Sequence, residues 1–151
     1  MHSDRISNEI SHKGWLPLGA ALIFAISAFG SFSSTAAAAD IKVTLAGDQE
    51  VPPVKTAGAG TGTIIIGTDR TVSGSVKSTG IAGTAAHIHE AAPGKNGPVI
   101  VPLAKDGDTY SVAAGAKLTD AQFASFQAGN LYVNVHTTAN SGGEIRGQLK
   151  P

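Results

Sequence analysis

His87, His89 and His136 are the side chains in this sequence best suited to do chemistry. A neutral imidazole is a good ligand for copper, zinc, iron or nickel, and affinity usually peaks at Cu(II). His87 and His89 are separated by one apolar residue, Ile88. On a β-strand, residues i and i+2 point to the same side. Both imidazoles therefore leave one face while Ile88 enters the other. Leu131–His136 alternates in the same way, sending Leu131, Val133 and Val135 to the core and Tyr132, Asn134 and His136 to the opposite face. If the two strands share a sheet, three imidazoles converge on one outer face. Cross-strand Cβ atoms lie about 4.5–5.5 Å apart and diagonal ones near 7–8 Å. Nitrogens carried at those positions can reach one ion at a bond length of about 2.0–2.1 Å. The expected cofactor is one copper ion held by His87, His89 and His136.

The same alternation in Glu144–Leu149 places Arg146 on that face, as the structural partner of a carboxylate or loop carbonyl, or as a guide for an anion. Glu90 has the opposite parity to the histidine pair and could be a ligand only at a strand end or bulge. A plainer alternative for the histidines is that they hydrogen-bond loop carbonyls, fastening Ala91–Pro98 and Thr137–Gly143 over the sheet. Other chemistry is poorly supported. Asp106 and Asp108 flank Gly107 as turn residues, and a calcium loop needs more oxygen ligands. No G-x-S-x-G elbow accompanies the histidines, so a serine hydrolase is not expected.

The elements that must position these side chains read as strands with frequent turns. Ile41–Leu45 alternates apolar and polar residues. Gln49–Val54 contains Pro52 and Pro53, which cannot donate to a ladder, and so belongs to an edge or loop. Thr61–Ile66 and Thr71–Lys77 form a hairpin across Gly67–Arg70. Ala85–His89, Val99–Leu103, Thr109–Val112, Leu131–His136 and Glu144–Leu149 complete the strands. One helix interrupts them. Thr119-Asp120-Ala121-Gln122 has the form of a capping box, and Gly129 supplies a stop. The expected fold is all-β: an antiparallel Greek-key sandwich or barrel with one short helix.

Residues 1–39 do not fit that pattern. Arg5 and Lys13 precede an apolar segment, Gly14–Phe32, and small residues lead to Asp40. This order is that of a secretory signal peptide, cleaved after Ala38 or Ala39. A retained anchor is the rival, since the apolar run is near the roughly 18-residue limit for a spanning helix. Residues 40–151 then form one domain of ordinary size. There is no cysteine, which removes disulfides, thiolate catalysis and Cys-based metal sites together. Eleven basic residues balance eleven acidic ones. With no basic stripe, nucleic-acid binding is not expected.

Four blocks carry a family resemblance. Leu45-Ala46-Gly47-Asp48-Gln49-Glu50-Val51-Pro52-Pro53-Val54 opens the domain, and Ala86-His87-Ile88-His89 with Gly97-Pro98-Val99-Ile100 occupies its middle. Leu131–Thr137 and Gly143–Leu149 close it. In this order they resemble the CHRD domain, repeated in the extracellular protein chordin and found singly in exported bacterial proteins. The resemblance implies a secreted or periplasmic module with no defined activity. The His-x-His-Glu strand and the late histidine and arginine are more distantly similar to copper/zinc superoxide dismutases. That likeness implies a superoxide-dismutase-like fold, copper ligands at His87, His89 and His136, and anion guidance by Arg146. The bridging histidine, the zinc-binding run and the disulfide of that family are missing. Three functions follow as expectations: a non-catalytic binding or adhesion module, a copper-binding protein, and a superoxide-handling enzyme. The expected partners are a metal ion or an extracellular protein, with no nucleic acid and no membrane after cleavage of the leader.

Overall fold

A computed structural model describes residues 38–151, so the expected leader lies outside the described residues. Eight strands follow one another: β1 (Ala39–Ala46), β2 (Ala59–Ile66), β3 (Val72–Thr79), β4 (Gly83–Glu90), β5 (Val99–Asp106), β6 (Thr109–Val112), β7 (Leu131–Thr137) and β8 (Ile145–Leu149). They close into an antiparallel barrel in the order β1-β2-β3-β6-β5-β4-β7-β8. Strands β4, β5 and β6 are consecutive neighbours, and β7 returns to lie beside β4, which is a Greek key. The long β1–β2 ladder runs from Ala39–Ile66 to Ala46–Ala59. Closure of the ring rests on β1 meeting β8 at Ala46 and Arg146.

Alternation explains the interior. Ile41, Val43 and Leu45 of β1, Ile64 and Ile66 of β2, Ile88 of β4, Val133 and Val135 of β7 and Ile145 and Leu149 of β8 are buried together. Each side chain of that size contributes about 1.5–3 kcal/mol through burial. Tyr110 of β6 is also fully buried. It fits because Gly83 leaves space where any Cβ would meet the phenol.

The helix, α1 (Asp120–Gln127), starts where its capping box predicts. Thr119 Oγ1 accepts from the Gln122 amide at 3.2 Å, and Gln122 Oε1 accepts from the Thr119 amide at 2.9 Å. Phe126 is buried and Phe123 packs against the core. Gly129, at φ 75°, turns the chain into β7. Gln49–Val54 contributes no strand: a single 3-10 turn, Gly47–Gln49, is followed by bends. Glu144 lies just before β8 rather than inside it. Among the described residues, no helix is long and apolar enough to cross a membrane.

Candidate metal centre

Strands β4 and β7 are neighbours, and their register builds the site. Ala85 faces His136, His87 faces Asn134 and His89 faces Tyr132. On the other side of β7, Asn134 faces Arg146 and Tyr132 faces Gln148. His136 is thus diagonal to His87 and directly opposite a small residue, Ala85, which leaves room for the rings to lean together. The His87 and His136 ring centroids are 4.8 Å apart, and those of His87 and His89 are 5.7 Å apart. One nitrogen from each of the three rings can be chosen so that all lie within 4.8 Å of one another.

The remaining nitrogens are held by loops. His89 Nδ1 lies 3.0 Å from the Gly97 carbonyl, and His136 Nδ1 lies 3.0 Å from the Ser141 carbonyl. A carbonyl only accepts, so both Nδ1 atoms carry the proton. In the neutral rings both Nε2 atoms then keep their lone pairs. His87 Nδ1 lies 2.9 Å from His136 Nε2 and must donate to it. His89 Nε2 is buried and has no hydrogen-bond partner. Burial is the first cause lowering the pKa of His87, followed by its neighbours His136 and His89. The pKa of His89 is also lowered, by burial first; the Gly97 carbonyl and Asn134 oppose this, while His136 and Arg146 add to it. His87 and His89 are therefore biased toward the neutral form that binds metal.

The face carrying the site is not an open outer face. Asn134 and Arg146 are each 1% exposed and Tyr132 is 2% exposed. Parity places these side chains correctly, but the flanking loops fold over them. Tyr132 stacks on His89 with centroids 4.8 Å apart, and the Arg146 guanidinium lies 3.4 Å from the Tyr132 ring centroid. Arg146 also donates to Asn96 and Gln148, each at 3.3 Å. Glu90 does not join the histidines; it accepts from Ser125 of α1 at 2.5 Å.

The family model for the CHRD domain matches residues 41–149. The chain belongs to the CHRD family. No curated protein and no solved structure matches it. The likeness to superoxide dismutases accordingly gains no support from these comparisons. In this CHRD chain, several residues that shape the site escape a reading of the sequence. Gly97 gives its carbonyl to His89 and its amide to the Tyr132 hydroxyl at 3.3 Å. A Cβ there would run into the Glu90 carbonyl. Ser141 acts only through its backbone. Glu50 is buried beside Gly143 and Asn134, and burial raises its pKa against the lowering effects of Arg146 and Asn134. Turn-forming composition and, for Glu50 and Gly97, a place in the family blocks are the sequence signals for these positions, and neither specifies close approach.

Proposed function

We propose that this CHRD module is exported and binds one copper ion through His87 Nδ1, His89 Nε2 and His136 Nε2. The observation that carries this reading is the buried, partnerless Nε2 of His89, beside a His87 Nδ1 and a His136 Nε2 that are bonded only to each other. An unpaired buried polar atom is costly unless something fills the place beside it. Three imidazoles and no sulfur suit copper or zinc, with the higher affinity expected for Cu(II). When bound, the ion would supply a Lewis-acid or one-electron centre. The chain's own contribution is to fix two tautomers with the Gly97 and Ser141 carbonyls and to favour the neutral form of His87 and His89 by burial.

The plainer reading, in which the histidines fasten loops, also has an observation behind it, since His89 and His136 each bind a loop carbonyl. Those bonds use Nδ1 alone and leave the buried Nε2 of His89 unexplained. Metal analysis of protein recovered from the medium or periplasm of a copper-supplemented culture distinguishes the two. Copper binding predicts about one copper per chain, lost from a variant with all three histidines changed to alanine. Protein with no stoichiometric copper would leave loop fastening as the role of the histidines. N-terminal sequencing of the same sample tests export, with a first residue of Ala39 or Asp40 expected and Met1 contrary to it.

A further inference from the structure

Asn96 ties together the two walls of a groove. Its Nδ2 donates to the Val51 carbonyl at 2.7 Å, and its Oδ1 accepts from Arg146 at 3.3 Å. One wall is the turn after β1, around Asp48 to Pro53, and the other is formed by Pro93 and Gly94. Arg146, Gln148 and Lys150, from β8 and the residue after it, make the floor. The groove has a volume of about 500 Å³, and no histidine lines it. Sites for small molecules typically measure roughly 300–1,000 Å³.

The floor has an electrostatic peculiarity. Arg146 is 1% exposed, and buried charges are normally paired. Among the described residues, however, the sole ion pair is Arg70 with Asp120. Arg146 has the Tyr132 ring and two long hydrogen bonds; its acidic neighbour Glu50 acts on it electrostatically but makes no direct ion pair with it. A guanidinium fork favours a carboxylate, which can accept two parallel N–H bonds. Its bonds to Asn96 and Gln148 are long enough for an incoming carboxylate to take over their donors. Lys150 is exposed at the mouth, where it adds positive charge opposite Asp48. Val51, Pro53 and Pro93 offer apolar walls for a short carbon chain.

We propose that this groove binds a small organic carboxylate, which supplies the direct ion pair that Arg146 lacks. The site is separate from the histidine cluster and needs no metal. Butyrate is the probe and butyramide its uncharged control, titrated into metal-free protein while the side-chain N–H signals of Asn96, Gln148 and Arg146 are followed by NMR. Butyrate should shift them saturably and butyramide should not. Lys150→Gln should weaken binding about two- to fivefold, as expected for one exposed charge. Asn96→Asp places the chain's own carboxylate against Arg146 and should abolish binding. Absence of saturable shifts, equal shifts with butyramide, or a folded Asn96→Asp variant that binds like wild type would each overturn the proposal. Should Asn96→Asp fail to fold, the butyramide and Lys150→Gln comparisons decide it.

Discussion

Nδ1 of His87 donates a hydrogen bond to Nε2 of His136, 2.9 Å away on the neighbouring strand. An ion shared by these two atoms must replace that proton, and His87 must move its own proton to Nε2. In metal-free protein, nitrogen chemical shifts should therefore report the Nδ1–H form of His87. Zinc, used as a diamagnetic substitute, should convert it to the Nε2–H form. Finding the Nε2–H form already dominant without metal would contradict this account of the pair.

Single replacement of His87, His89 or His136 by alanine should weaken copper binding by more than the roughly 10- to 100-fold typical of lost outer hydrogen bonds to a metal site. The far-UV circular dichroism should stay β-rich, because the core lies on the other side of the sheet. A triple variant that retains wild-type affinity would exclude a shared site.

Gly97→Ala should damage both the fold and the site. Its methyl group meets the Glu90 carbonyl, and relief of that clash moves the carbonyl that fixes His89. A loss of about 1–3 kcal/mol in denaturant unfolding is expected, in line with overpacking at a closed position, together with weaker metal binding. Unchanged stability would mean that the loop shifts freely and does not orient the ring.

The pKa values of His87 and His89 are lowered in the folded protein. As pH falls below about 6.5, the unfolded chain takes up protons first. Their contribution to stability is therefore complete above that pH and is lost as pH falls through the folded values. Copper release should likewise be centred below 6.5. Urea midpoints of metal-free protein across this range provide the check. A midpoint that rises on acidification through pH 6.5, and loses that rise when both histidines are replaced by asparagine, would reverse the assigned direction.

Glu144 should matter in a more acidic window. Its carboxylate accepts from Thr56 at 2.6 Å, Thr137 at 2.5 Å and Asn140 at 3.1 Å, and these bonds lower its pKa. The resulting stability is present above the ordinary value of 4.5 and lost as pH falls through the folded value. Glu144→Gln should cost about 1–3 kcal/mol at neutral pH and flatten the acid limb. An unaltered acid limb would show that these bonds do not couple to folding.

The strands and the convergence of the histidines were legible because parity is local: Ile88 and Val135 mark the buried side wherever the strand lies. The helix start was legible for the same reason, since Thr119 and Gln122 satisfy each other within one turn. How deeply Arg146, Tyr132 and Asn134 are buried was not, because it depends on how closely the loops after β4 and β7 pack over the sheet. The histidines do lie on the face away from the core, but part of that face is covered. Glu50 was hidden for a related reason. Nothing in Gln49–Val54 indicates that its carboxylate comes to rest beside Gly143, nearly a hundred residues later.

Closure of the barrel at Ala46 and Arg146 makes the ring behave like a bracelet with a small clasp. Strand β1 is paired in register with β2 along its whole length but with β8 at Ala46 alone. Parting the clasp would hydrate the guanidinium and relieve part of the cost of burying it. Spontaneous opening should therefore begin there, and amide exchange around Ala46 and Arg146 should outpace that in the middle of β4 and β7. The groove spans the same clasp, with Asp48 on the β1 side and Lys150 on the β8 side. Whatever occupies it would act as a safety catch, and a chain with no disulfide would resist proteases longer when loaded.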